Sequence, residues 1–314
     1  MKKEITLLSK NIILLTIFNF KIKNLLMIIN NTIFKIFLLI SLLLISNAYG
    51  NCNKARNSKS IVVAGGSITE IIYFLNLQDK LVGVDVTSNY PLNAKKLPSI
   101  GYIRNLSIEG LLSLKPNLIL AEESIGPPII VKQLKKTSVE FRIIKNNHTI
   151  DGINEKFLCI SKILDVEINN TIDYKKFVNN VKKLKSFVKD NNKEKKDILL
   201  ILMMKGTSPI IAGKNTSGHG FIKMIGQNNS MAKVSGWKPV SSEQILIANP
   251  NYIIVTKRAL KDFTSIEKFL KLPGISSTKA AKNKNVFIKD GMSLLGYGPR
   301  TINVAKEILI NIKD

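Results

Sequence analysis

The chain has 314 residues, with 47 Lys or Arg, 22 Asp or Glu and two His, for a formal charge of +25. That length can bury one large core or two smaller ones. Two cysteines exclude a disulfide framework and make a thiolate metal site untenable, and two separated histidines do not build the usual zinc or manganese cluster.

So basic a chain suits nucleic acid, an anionic membrane surface or an anionic ligand. The lysines are scattered along helical faces and no aromatic-and-basic stacking motif is present, which argues against nucleic acid. The first fifty residues differ from the rest, with one acid, Glu4, and six lysines. Their apolar runs, Ile12 to Phe20 and Ile36 to Ile45, are shorter than the ~20 residues of a spanning helix. Ala48-Tyr49-Gly50 follows the second run and fits a small-x-small cleavage site. We read residues 1–50 as a signal peptide, with Met27 as an alternative start. Asn51 stands where a lipid-bearing Cys52 would need a small residue, so a lipoprotein is not favoured. Residues 51–59 read as a polar tether.

Ile61–Ala64 is a buried strand, Gly65-Gly66 a tight turn, and Ser67-Ile68-Thr69-Glu70 a capping box opening a helix to about Leu75. Strands follow at Leu81–Val84, Leu118–Ala121 and Glu140–Ile144, with helices around Leu106–Leu114 and Ile129–Lys136. Strands alternating with helices indicate a parallel sheet. The Gly-Gly turn matches neither a dinucleotide fingerprint nor a phosphate loop. Ile153–Leu164 is a helix, with Cys159 as a small core residue. Ile172–Val188 is a longer one, with Phe177, Val181, Leu184 and Val188 on one face. The second half opens with strands Asp197–Met203 and Pro209–Ala212 and a helix at Phe221–Ile225. It closes with strand Val286–Ile288 and a helix from Pro299.

The chain repeats itself. Ser107-Ile108-Glu109 leads through a helix to Pro116-Asn117 and the strand Leu118–Ala121. Ser242-Glu243-Gln244 leads likewise to Pro250-Asn251 and Tyr252–Val255. Glu109 matches Glu243, Pro116 matches Pro250 and Asn117 matches Asn251, all at one offset, which implies two related lobes. An aromatic precedes each copy: Tyr102, with Arg104 two residues on, and Trp237. No nucleophile elbow, H-E-x-x-H or phosphate loop is present, which disfavours an enzyme.

The opening G-G-S-I-T-E-I, the run L-P-S-I-G-Y-I-R-N-L-S-I-E-G-L-L-S-L-K-P, the S-S-E-Q-I-L copy and the closing G-M-S-L-L-G-Y-G-P-R-T carry a resemblance. Over residues 60–314 the chain resembles periplasmic haemin-binding proteins of bacterial ABC haem importers, within a superfamily that also carries cobalamin and ferric siderophores. The resemblance implies an α/β fold of two parallel-sheet lobes, residues 60–168 and 192–314. They are joined by a single long helix, 169–191, with the ligand in the interlobe cleft. It implies a periplasmic carrier, not an enzyme, that binds haem as cargo and not as a catalytic cofactor. It assigns Tyr102 as the haem iron ligand and Arg104 as its support. A tyrosine phenolate is an established haem ligand, and both iron and a guanidinium favour its ionised form. Trp237 is expected to cover the porphyrin, and Lys205, Lys214 and Arg300 are candidates for the propionates. His219 lies near the expected cleft edge, and Met203 and Met204 near a strand end. The expectation is five-coordinate ferric haem through Tyr102 alone. The resemblance further implies that Glu109 and Glu243, one per lobe, dock a monomeric carrier on a twofold-symmetric permease dimer of the inner membrane. The alternative is a cobalamin or ferric-siderophore carrier of the same fold.

Overall fold

Residues 52–190 and 194–312 are described by the structure, a computed structural model. The expected leader, residues 1–50, and residue 191 of the expected connecting helix lie outside the described residues. In chain order the first half runs β1 (Ile61–Ala64), α1 (Gly66–Phe74), β2 (Leu81–Val84), α2 (Ile108–Leu112), β3 (Leu118–Glu122), α3 (Pro128–Leu134), β4 (Glu140–Ile144), α4 (Ile150–Ile163) and α5 (Ile172–Asp190). The second half begins β5 (Asp197–Lys205), β6 (Ser208–Ala212), α6 (Ser217–Met224), β7 (Asn228–Asn229) and β8 (Trp237–Pro239). It continues α7 (Ser242–Ala248), β9 (Tyr252–Thr256), α8 (Ile266–Leu270), α9 (Lys279–Lys282), β10 (Val286–Lys289), α10 (Gly291–Leu295) and α11 (Pro299–Asn311).

The first sheet has the order β2-β1-β3-β4 and is parallel throughout. The second has the order β10-β9-β5-β6-β8, with β7 beside β5. It is mixed, not parallel as the alternation of elements predicts, because β6 runs antiparallel to both β5 and β8. Only Gly206 and Thr207 separate β5 from β6, and Gly206 takes a positive φ of 59°. So short a connection makes a hairpin; a parallel neighbour needs a crossover of a dozen residues.

The repeat has a structural counterpart. β3 lies parallel beside β1, and β9 lies parallel beside β5. The Asn117 amide donates to the Ser60 carbonyl, and the Asn251 amide to that of Asp197, both at 2.8 Å. Each Pro-Asn break thus starts its strand at the same point against the first strand of its sheet.

Strand residues alternate between two cores, as the period of two requires. Ile61, Val63, Leu118 and Leu120 of the first sheet, and Ile198, Leu200, Tyr252 and Ile254 of the second, enter one central apolar cluster. Val62, Ala64, Ile119 and Ala121 face a second cluster, and Leu199, Ile201, Ile253 and Val255 a third. Tyr174, Phe177, Val181 and Leu184 of α5 also belong to the central cluster, packed beside Phe157 of α4. The two sheets are therefore joined by a continuous apolar layer as well as by the chain.

Cys159 is not a lone core thiol: it forms a disulfide with Cys52, across 107 residues of sequence. Residues 52–59 lie against the fold and do not hang as a tether. Ala55 is buried and donates to the Ile163 carbonyl at 2.9 Å, and Arg56 donates its backbone N–H to Glu140 at 2.8 Å. A bridge closing so long a loop stabilises a domain by about 2–4 kcal/mol. Cys159→Ser is expected to lower the urea unfolding free energy by that amount, and an unchanged midpoint would show that the tail contacts alone hold the segment.

Candidate ligand cleft

Helix α1 begins where β1 ends, but the expected capping box is absent. Its N-cap is Gly65, at φ 147°, with no side-chain cap. A Cβ at Gly65 would stand 2.5 Å from Glu122 Cγ, so the close approach needs glycine. The box residues serve other elements. Ser67 Oγ donates to Glu122 Oε1 at 2.6 Å, and Glu70 accepts from Arg300 through its backbone N–H at 2.8 Å and its Nε at 2.7 Å. Burial raises the Glu70 pKa, and the Arg300 charge pulls it back.

A cavity of about 680 Å³ is lined by residues of both halves. This lies within the ordinary range for a small-molecule site. From the first half come Thr87, Tyr102, Arg104 and Glu122, and from the second Trp237, Lys257, Arg258, Asp290 and Met292. Most stand just past the C-terminal ends of strands, where α/β sheets place their ligands. Tyr102 sits on a loop that pairs with β2: the Ile100 amide bonds the Val84 carbonyl, and the Val86 amide that of Gly101. Ile103 is buried while Tyr102 and Arg104, on either side of it, are exposed, Tyr102 by 47%. The two side chains thus leave the core together and line the cavity. Trp237, the aromatic before the second copy, lines the same cavity.

The charges in this cavity are unequal in freedom. Glu122 is held by Ser67, and Asp290 caps α10 through the Ser293 amide at 2.9 Å and lies 3.5 Å from Arg300. Arg104, Lys257 and Arg258 make no ion pair among the described residues. Lys257 and Arg258 were missed by sequence reasoning. They follow β9 at the repeat positions where Glu123 and Ser124 follow β3, so the strand end of the second copy was the signal that could have found them.

Other predicted site residues lie elsewhere. Arg300 is committed to Glu70 and Asp290 and stacks 3.8 Å over the Tyr90 ring. It lines a separate cavity of about 510 Å³ with Tyr73, Phe74 and Phe177. His219 follows the N-cap of α6, its Nδ1 3.1 Å from Asn229 Nδ2, and does not line the larger cavity. Burial lowers its pKa. Met203, Met204, Lys205 and Lys214 are also absent from that lining. Glu109 and Glu243 are exposed second residues of α2 and α7, each behind a serine cap, and both lie outside the cavity. Among the described residues no cluster of three His, Cys, Asp or Glu suits a bare metal ion.

The family model described as periplasmic binding protein matches residues 61–291. The chain belongs to that family. Its members here are solute-binding proteins and not enzymes. The structure is similar to the periplasmic heme-binding protein BhuT, solved with two hemes, at 29% identity and a TM-score of 0.73, over 81% of this chain and 97% of that one. The sequence is 27% identical to an ABC transporter substrate-binding lipoprotein of uncharacterised role, YvrC of Bacillus subtilis (strain 168), over 82% of this chain and 81% of that protein. It is 26% identical to a vitamin B12-binding protein of Vibrio vulnificus (strain CMCP6), over 76% and 85% respectively. The chain is therefore a periplasmic substrate-binding protein of the cobalamin, haem and siderophore type, which implies an ABC permease as its partner.

Proposed function

We propose that this protein carries haem, in preference to cobalamin, to an ABC permease for import. The observation that carries the reading is the pair Tyr102 and Arg104, both exposed, in a cavity that Lys257 and Arg258 of the other half also line. A phenolate beside a guanidinium suits ferric iron. Haem presents two carboxylates at one edge, whereas cobalamin presents uncharged amides and a single phosphodiester; two cations without an ion pair among the described residues favour the former. In this reading Tyr102 is the axial ligand of five-coordinate ferric haem, Arg104 holds the phenolate ionised, and Trp237 stacks on the porphyrin. Lys257 and Arg258 replace the expected lysines and Arg300 as propionate partners.

Residues 60–168 and 192–314 then act as the two lobes of a monomeric carrier, with 169–191 between them. Residues 1–50 act as an export signal. The Cys52–Cys159 disulfide supports export, because such bonds persist in oxidising compartments. The test is titration of residues 51–314 with haemin and, separately, with cyanocobalamin. A saturable Soret band of ferric high-spin type, with weak or no cobalamin binding, is the expected result. Tight cobalamin binding without a haemin spectrum would overturn the reading.

A further inference from the structure

The two glycine-rich motifs at opposite ends of the chain are partners in space. Gly66 and Ser67 open α1 and Glu70 follows one turn on, and all three meet the segment from Met292 to Arg300. A Cβ on Gly66 would stand 2.6 Å from Met292 Cε. Glu70 holds Arg300. Between these contacts lies Lys156 of α4, a lysine only 2% exposed. Its ammonium donates to Ser67 Oγ at 2.8 Å and to the Gly296 carbonyl at 3.2 Å. Ser67 in turn donates to Glu122.

The consequence is geometric. Glu122 and Gly296 both line the larger cavity, from opposite halves of the chain. One buried cation reaches both walls, the first through Ser67 and the second directly. A buried ammonium is costly unless hydrogen-bonded, and the two acceptors that meet this one connect to different walls. Burial lowers the Lys156 pKa to about 8, against the opposing pull of Glu122, Glu70 and Glu123.

We infer that Lys156 is a positioning residue that ties the two walls of the cleft and sets its width. The tie stands on the structure alone; its effect on ligand affinity rests on the proposed haem reading. The test places spin labels on Lys95→Cys and Lys268→Cys, exposed positions in the two halves, and measures their separation without ligand. The native cysteines are both in the disulfide and do not take label. Lys156→Met is expected to broaden or shift the distance distribution. The haemin Kd should rise about tenfold while the ferric spectrum stays that of the wild type. A second reading separates positioning from mere packing. The groups facing Lys156 are the carboxylates Glu70, Glu122 and Glu123, the His148 imidazole and, through Glu70, the Arg300 guanidinium. His148 is held below its usual value by burial, whereas Lys156 loses its proton near pH 8. The neutral amine keeps two N–H donors for Ser67 and Gly296 and loses only the charge. The wild-type distribution should therefore broaden as pH rises through about 8 by less than Lys156→Met broadens it, and that of Lys156→Met should not change with pH. Should Lys156→Met fail to accumulate, Ser67→Ala removes the acceptor at little change of volume, and a smaller shift in the same direction is expected. A distance distribution identical to wild type in the folded variant overturns the tie. A shifted distribution with no haemin binding in the wild type would sustain the tie and overturn the haem reading.

Discussion

Tyr102→Phe is expected to weaken haemin binding by more than about 100-fold. The substitution keeps the ring and removes the oxygen proposed to bond iron. Loss of a residue that merely supports a metal ligand costs about 10–100-fold, and loss of the ligand itself costs more. Arg104→Ala should fall within that smaller range, because it deletes the charge proposed to favour the phenolate and leaves the proposed iron ligand in place. Tyr102 is already 47% exposed, so the phenylalanine creates no cavity in the core and stability should barely change. The ferric absorbance spectrum separates the two variants. It changes type when the ligand is lost and only shifts in saturation when the support is lost. An unchanged spectrum and affinity in Tyr102→Phe would remove tyrosine from the iron.

The double variant Glu109→Lys with Glu243→Lys is expected to abolish haem uptake while leaving haem binding intact. Both acids are exposed, sit at the second position of short helices and lie outside the cavity. Among the described residues each contributes locally to its helix dipole, worth about 0.3–1 kcal/mol at an exposed site. If each meets a basic pocket of the permease, reversal places like charges face to face at several kcal/mol per contact, so uptake should drop by more than about 100-fold. Transporter ATPase stimulation should fall with it. Wild-type uptake by the double variant would reduce the two glutamates to helix-stabilising residues.

Much of this fold is written locally. The strand Ile61–Ala64 is marked by an unbroken apolar run before a Gly-Gly turn and the helix from Ile172 by a 3.6-residue period, and their observed bounds differ little from the expected ones. The short helices α8, α9 and α10 escaped, because four or five residues hold barely one turn and show no period. The capping-box reading of Ser67 to Glu70 failed for a different reason. Serine and glutamate have the right spacing to bond each other's backbone, but buried partners from β3 and α11 compete for the same oxygens and win.

Legible in the sequence were the alternating α/β elements, the duplicated acid-led unit with its glutamates, and the Tyr102–Arg104 pair just ahead of its first copy. Each is set by neighbours within one or two turns of chain, where geometry follows from covalent spacing. The three-dimensional arrangement alone brings Cys52 to Cys159, gives Arg300 to Glu70 and not to the cavity, and sets Lys257 and Arg258 in the lining of the cavity that Tyr102 lines. Such contacts join residues 107 or 230 positions apart. Which of them form depends on which faces of the two sheets share the central apolar layer, a property that no local window of sequence contains.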